Sequence, residues 1–233
     1  MTTDRGKPAA KAAGGTPPAP MQFDARVEPF WHWTATQRKE LGFFGAWKRK
    51  RRMQAVLRTI NAELAAQGVE VGGWDQKEGE TVCNLRMDRL TVMQDLRVFA
   101  AAMDKQSATE IFLGQADSRF VHLIKNRDRD AYYLPIDFPE PIMVLDAETQ
   151  EFLPVGSAVR LQRELAEMDK TLRVEKTFQV KKMVDFFQAG EAEIRQFDQR
   201  FGHDPQFWLK FGFVVLQKLA RKSVETGFPV IFQ

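Results

Sequence analysis

Apolar residues recur at helical spacing in the N-terminal part of the chain. The spacing of Thr34 and Gln37 matches a capping box, which predicts a short helix over 34–41. Glycines directly after this helix weaken helix formation. A longer helix is then predicted over 46–67, and Gly68 ends it.

The C-terminal third shows the same periodicity. Ser157 is a suitable N-cap for a helix with an apolar stripe, and further helices are predicted over 178–189 and 194–201. The last helix begins at Pro205, with Asp204 as its cap. It is apolar nearly all round, which indicates burial on several sides. We expect it to be the central helix of this half, with a place in a subunit interface as the alternative.

Between these helical regions the pattern is typical of strands, because short apolar runs are bounded by turn residues. The predicted strands are 69–71, 82–87, 111–113, 120–124, 132–136 and 142–145. One amphipathic helix interrupts them over 91–103, where apolar residues fall on one face.

These elements predict an α+β fold, in which a long N-terminal helix and a C-terminal group of about four helices pack on a β-rich middle. We expect one domain over 21–233, helical over 21–68, mainly β over 69–153 and helical over 157–226. Residues 1–20 are rich in Ala, Pro, Gly and Lys, and are predicted to form a disordered tail.

The composition indicates a sizeable buried core and an uneven distribution of charge along the chain. The chain has 233 residues, of which 44% are hydrophobic, which suffices for a sizeable buried core. The net charge of +3 conceals a polarity: residues 1–67 hold twelve basic and five acidic residues, and residues 68–233 hold 22 basic and 26 acidic ones. Such polarity can steer polyanions to one end, or let the chain dock head to tail on a second copy.

The single cysteine and the lack of long apolar runs bear on the cellular compartment and on disulfide bonds. Cys83 lies in an apolar stretch, which favours a small buried side chain over a reactive thiol. No apolar run has the length of a signal sequence or a membrane span. We therefore expect a cytoplasmic protein with no internal disulfide.

Five consecutive cations form the feature that departs furthest from an ordinary globular sequence. They occupy positions 48–52, directly after an aromatic stretch, and lead into an aliphatic stripe that starts at Met53. At 100° per residue the five cations circle the whole helix. A turn that is cationic on every side cannot lie against an apolar core. It must therefore project into solvent or meet carboxylates.

No catalytic, metal, nucleotide or cofactor signature is visible, so no cofactor is predicted. The favoured hypothesis is a non-enzymatic interaction protein, of the adaptor, assembly or inhibitor type. It would bind another protein, or a second copy, through an aromatic–basic surface around 31–52. The predicted contact residues are Trp31, Trp33, Phe43, Phe44, Trp47, Lys48, Arg49, Lys50, Arg51 and Arg52.

Other hypotheses about the function remain open on the sequence alone. The same cations could bind nucleic acid or an anionic membrane, or form a plain solvated helix end. An enzyme could use the carboxylates of 126–140 as acid and base, although an ordinary solvated loop is the simpler account. Those carboxylates are Asp128, Asp130, Asp137 and Glu140. The three histidines, His32, His122 and His203, show no metal spacing and are expected to serve packing or local hydrogen bonds.

Overall fold

The computed structural model describes residues 23–30, 35–87, 91–127, 131–174, 199 and 205–232. The predicted tail and, apart from residue 199, the predicted helices over 178–189 and 194–201 lie outside the described residues. Within them, a six-stranded mixed sheet with helices on both faces confirms the α+β class.

The sheet has the strand order β2–β1–β6–β3–β5–β4. Its strands are β1 (Phe23–Val27), β2 (Cys83–Met87), β3 (Ala131–Leu134), β4 (Ile142–Leu145), β5 (Phe152–Ser157) and β6 (Val230–Phe232). Only β3 and β5 run parallel to each other, and the other neighbours are antiparallel. Because β1 pairs with β6, the two ends of the described chain are joined in the middle of the sheet.

Six helices lie in the described part of the chain. They are α1 (Ala35–Ala66), α2 (Thr91–Met103), α3 (Ala108–Phe112), α4 (Val121–Ile124), α5 (Ala158–Leu172) and α6 (Pro205–Thr226). A short 3-10 turn, Trp74–Gln76, follows α1. Ser157 caps α5 as predicted, because its hydroxyl oxygen accepts a hydrogen bond from the Arg160 amide at 3.1 Å.

Helix α1 is bent at Gly42, as the sequence predicted. Gly42 has φ 63° and ψ 176°, a conformation that is open to glycine and costly for other residues. The predicted short and long helices are therefore the two arms of α1. The second arm carries the aliphatic stripe, and Val56, Leu57 and Ile60 are buried.

The sheet separates two apolar cores. Helices α2, α5 and α6 cover one face, where Tyr133 and Phe232 point towards them. Helix α1 covers the other face together with Trp74, and Tyr132 and Ile231 point there. Alternate residues of β3 enter opposite cores, so this strand is buried on both faces.

Helix α6 is the central helix of its layer, as predicted. Phe213, Val215 and Leu219 are buried, and the helix packs against both α2 and α5. A Cβ atom on Gly212 would lie 2.3 Å from Cγ1 of Val92, so the absence of a side chain there lets α2 approach closely.

Two predicted strands are helices in the structure. The apolar runs 111–113 and 120–124 belong to α3 and α4. Periodicity cannot distinguish strand from helix in runs this short. Packing against α2 and α5 determines that these two segments are helical. The predicted strand over 69–71 is also wrong, because these residues follow the end of α1 without sheet pairing.

Candidate interaction site

The second arm of α1 carries the predicted basic run, and its five cations have different environments. Lys48 forms an ion pair with Glu148, with 2.7 Å between Nζ and Oε1. Arg52 forms an ion pair with Asp146, with 2.7 Å between Nε and Oδ2. The sequence left two possibilities for the cationic turn, solvent or neighbouring carboxylates. Lys48 and Arg52 meet carboxylates.

The turn between β4 and β5 supplies both carboxylates. Asp146 is buried at the start of this turn and accepts a hydrogen bond from the Glu148 amide at 2.9 Å. Burial alone would raise the pKa of Asp146, but the Glu148 amide and the Arg52 guanidinium outweigh it, so the pKa lies below its usual value. The β4–β5 turn thus fixes α1 on the sheet.

Three cations of the run face solvent. Arg49, Lys50 and Arg51 are exposed, and within the described part of the chain none of them forms an ion pair. The Arg51 guanidinium lies over the Trp47 ring, 4.8 Å from its centroid. This cation–π contact holds a basic and an aromatic group together at the surface.

The aromatic residues before the run are exposed to an unusual degree. Phe43 and Phe44 are each 82% exposed and contact each other edge to face, with 5.8 Å between centroids. Trp47 is 53% exposed. Exposed aromatic groups of this size next to cations are typical of interaction surfaces.

A shallow cleft of about 360 Å³ runs along this surface. It is lined by Trp47, Lys48, Arg51, Arg52, Ala55, Asp146, Ala147 and Glu148. Six of the ten predicted contact residues, those at 43, 44, 47 and 49–51, are exposed on α1, and two further ones, Lys48 and Arg52, are ion-paired. Trp31 and Trp33 lie outside the described residues.

A second charged surface lies at the opposite end of the same helix, and sequence reasoning missed it. Residues 63–80 hold five acidic residues and one basic residue, and we name this stretch the acidic segment. Four of its carboxylates are exposed and form no ion pair within the described chain: Glu63, Glu70, Glu78 and Glu80. The local charge count over 63–80 is the signal in the sequence, and the nearly balanced total of 22 basic and 26 acidic residues over 68–233 conceals it.

Buried and hydrogen-bonded residues hold the acidic segment in place. Asp75 accepts a hydrogen bond at 3.0 Å from the side-chain amide of Asn61 on α1. Trp74 is buried and packs edge to face on Phe30, with 5.7 Å between centroids. The third anchor is Glu28, which is buried and accepts a hydrogen bond from the Thr81 hydroxyl at 2.7 Å. Glu70, Glu78 and Glu80 therefore stand on an anchored loop, and Glu63 stands on α1.

Comparison with protein families gives one match, and it spans most of the chain. The profile of a family described as "Putative DNA-mimic protein" matches residues 46–232. The chain belongs to this family. Comparison with curated proteins and with solved structures finds no match. The range shared with the DNA-mimic family begins at Ala46, and it contains the basic run, the acidic segment and all of the sheet except β1.

Among the carboxylates of 126–140, Asp137 does not have the environment that the enzyme hypothesis requires. Asp137 and Glu140 are exposed, and Asp137 forms ion pairs with Arg160 and Arg163. Burial acts to raise the pKa of Asp137, but the two arginines outweigh it and hold the pKa below its usual value. A general acid needs the opposite shift. Asp128 and Asp130 lie outside the described residues.

His122 belongs to a buried polar network that has a structural role. Its Nδ1 accepts a hydrogen bond from the Ser157 amide at 3.0 Å, and its Nε2 lies 3.1 Å from the Pro139 carbonyl oxygen, to which it donates. Burial lowers the pKa of His122 to about 4, so the ring is neutral. As predicted, His122 is buried and satisfied, although it lies on α4 and not on a strand.

Glu164 completes this network from helix α5. Its two carboxyl oxygens accept hydrogen bonds from the amides of His122 and Leu123, at 2.9 and 2.8 Å. Burial raises the pKa of Glu164 to about 8. The two hydrogen bonds act to lower this pKa, but burial has the larger effect. Both oxygens are occupied by backbone amides at the start of α4, so this carboxyl serves to attach α4 to α5.

Among the described residues, no group of three or more His, Cys, Asp or Glu side chains is arranged to hold a metal ion. Within the same residues, no helix combines the length and the apolar character needed to cross a bilayer.

Proposed function

We propose that this protein binds a DNA-binding protein and occupies the surface that the partner uses for DNA. The observation that carries the proposal is the match to the DNA-mimic family, which includes the whole acidic segment. Proteins contact DNA mainly through Lys and Arg side chains that neutralise phosphates. A fixed array of carboxylates can engage the same side chains and exclude the nucleic acid.

Because the charges of this chain nearly cancel, only a limited part of its surface can imitate the negative charge of DNA. Over the matched range, 28 basic and 27 acidic residues nearly cancel, so the molecule as a whole does not resemble a polyanion. The acidic segment, with five acidic residues and one basic residue, is where negative charge is concentrated. Several other acidic groups near the surface, such as Asp104, Glu167 and Glu225, already form ion pairs.

The anchoring of the acidic segment supports this role. The Asn61–Asp75 hydrogen bond and the burial of Trp74 hold the loop before any partner arrives. A preorganised surface loses less conformational entropy on binding than a flexible one. Duplex DNA is itself a stiff array of charges, so a stiff carboxylate array is the better substitute.

The aromatic–basic surface is a second candidate contact with a protein partner. The exposure of Phe43 and Phe44 favours it, because large apolar groups are seldom left in water without use. Binding of nucleic acid or of an anionic membrane there would depend on three cations, since Lys48 and Arg52 are already paired. We place the protein in the cytoplasm, where it would meet DNA-binding proteins.

The proposal can be tested by capture followed by elution with DNA. The wild-type protein is immobilised and incubated with nuclease-treated extract of the source cells, and duplex DNA is then added to elute. We expect DNA-binding proteins in the DNA eluate. A variant in which Glu63, Glu70, Glu78 and Glu80 are each changed to Gln should lose them, because the carboxylates are gone while side-chain volume is kept.

A matched control changes four other exposed acidic residues that form no ion pair in the described chain: Glu110→Gln, Asp117→Asn, Glu140→Gln and Glu151→Gln. This control should capture the same proteins as wild type. Equal capture by the acidic-segment variant, or an eluate without DNA-binding proteins, would remove the proposal.

A further inference from the structure

A cavity of about 280 Å³ opens between α2, α3 and the segment that joins α4 to β3. It lies on the opposite face of the sheet from α1, because α2, α3 and α4 pack on the other core. Its volume is at the small end of the range for sites that bind small molecules, which is roughly 300–1,000 Å³. The lining includes both polar and apolar side chains: Gln94, Arg97, Thr109, Phe112, Asn126 and Arg127.

The charge at the wall of this cavity has one sign. The described residues that line it include two arginines and no acidic residue. Asp95 is the one carboxylate of α2, and Glu110 is the one carboxylate of α3. At 100° per residue, they lie about 130° and 150° from the middle of the lining positions on their helices. Both helices therefore carry their carboxylates away from the cavity, and the cavity attracts anions.

Arg97 provides a fixed positive charge at the buried side of the cavity. Only 7% of this residue is exposed, and its Nε donates a hydrogen bond to the Leu123 carbonyl oxygen at 3.3 Å. This bond joins α2 to α4 and holds the side chain in place before any ligand arrives. Because the site is partly desolvated, an anion there is attracted more strongly than it would be in water.

Arg127 provides the second positive charge, at the open side. Its backbone is fixed by Asn126, which is buried: the Asn126 side chain donates to the Tyr132 carbonyl oxygen at 3.2 Å and accepts from the Arg127 amide at 2.7 Å. The Arg127 side chain is exposed and forms no ion pair within the described part of the chain. Its guanidinium can therefore bind a ligand.

Neutral polar groups and an aromatic ring complete the lining. The side chains of Gln94 and Thr109 form no hydrogen bond with other described residues, so their amide and hydroxyl groups can donate to an oxyanion. The Phe112 side chain is apolar and 41% exposed. An apolar part of a ligand would cover it.

We propose that this cavity binds a small organic anion, in which a carboxylate or phosphate group is attached to a compact apolar body. The anionic group would accept charge-assisted hydrogen bonds from the arginines, and the apolar body would cover Phe112. This site goes beyond the proposed function, because the cavity shares no residue with the acidic segment.

The proposal can be tested by titration of the full chain, labelled with nitrogen-15, with benzoate and with phenyl phosphate. These probes carry different anionic groups on the same ring. Benzyl alcohol is the uncharged control, and inorganic phosphate is the anion without a ring. The side-chain amide signals of Gln94 and Asn126 in two-dimensional NMR spectra report binding at the cavity.

We expect at least one aromatic anion to shift these signals saturably, with a Kd in the low millimolar range or tighter. Both control compounds should bind at least about fivefold more weakly, because each lacks half of the recognised chemistry. Tighter binding of benzoate assigns a carboxylate ligand, and tighter binding of phenyl phosphate assigns a phosphate ligand.

Three variants link binding to the cavity. Arg127→Gln should weaken binding at least about fivefold, because one of the two charges is lost. Thr109→Val should also weaken binding, through loss of a donor at nearly constant volume. Arg58→Gln removes an exposed cation of α1, on the other face of the sheet, and should bind like wild type. Arg97 is kept because it joins α2 to α4, and circular dichroism checks each fold.

The absence of saturable shifts with both aromatic anions would overturn the proposal. So would equal affinity of Arg127→Gln and wild type, or equal binding of benzyl alcohol and the aromatic anions. The variant with Gln at 63, 70, 78 and 80 keeps every residue of the cavity and should bind the probes like wild type. Failure of this site can therefore be distinguished from failure of the proposed function.

Discussion

At the scale of single residues, a charged side chain is structural where it forms an ion pair and available for binding where it faces solvent. Arg52 and Arg49 are three positions apart in one basic run, yet Arg52 pairs with a buried carboxylate and Arg49 faces water. The first is a structural residue, and the second is available for binding. The sequence shows five equivalent cations, because the carboxylates that distinguish them come from a turn about 95 residues further on.

Replacement of Arg52 by Ala should destabilise the fold by about 1–3 kcal/mol, because Asp146 would stay buried without its cationic partner and with only the Glu148 amide and the Thr149 side chain to bond it. Arg49→Ala is the matched control and should change the free energy of unfolding by less than about 0.5 kcal/mol. Chemical denaturation measures both. Equal effects of the two substitutions would contradict the different roles assigned to them.

His122 should make stability depend on pH. Its pKa is lowered in the folded state to about 4 from 6.5, so its contribution is complete above pH 6.5 and is lost as pH falls towards 4. The stability advantage of wild type over His122→Gln should therefore shrink over this range, by an amount on the order of 2–3 kcal/mol. Urea denaturation of both proteins at several pH values measures it. A constant difference would show that His122 does not titrate in this way.

At the scale of elements, the sequence predicted long helices well and short apolar runs poorly. Helices α1, α2 and α5 have one apolar face over several turns, so their periodicity is unambiguous. Helices α3 and α4 have one turn or little more, and burial by their neighbours decides their conformation. Strands β1, β5 and β6 were not predicted, since they are stabilised by pairing between distant parts of the chain.

The bend in α1 gives an element-scale prediction. Gly42→Ala should cost about 1–3 kcal/mol, because alanine is strained at φ 63° and ψ 176°. Gly45→Ala, three residues further along the helical arm, should instead stabilise by up to about 1 kcal/mol through higher helix propensity. Thermal melting followed by circular dichroism compares the two. A stabilising Gly42→Ala would show that the bend is not built into the fold.

At the scale of the whole molecule, α1 separates the two kinds of charge. The basic run was evident from the sequence, because five adjacent cations stand out. The acidic segment was not, because its carboxylates are spread over 63–80, where the chain turns back so that Asp75 bonds Asn61. The proposed mimicry rests on this segment, because the charges over the range matched by the DNA-mimic family nearly cancel.

The most direct test of this account is competition for DNA on a purified partner recovered by the capture experiment. Labelled duplex DNA is bound to that partner, and its fluorescence anisotropy is followed as the protein is added. We predict that wild type displaces the DNA, and that the variant with Gln at 63, 70, 78 and 80 needs at least about tenfold more protein. Equal displacement by wild type and variant, or a ternary complex with the DNA still bound, would contradict the account.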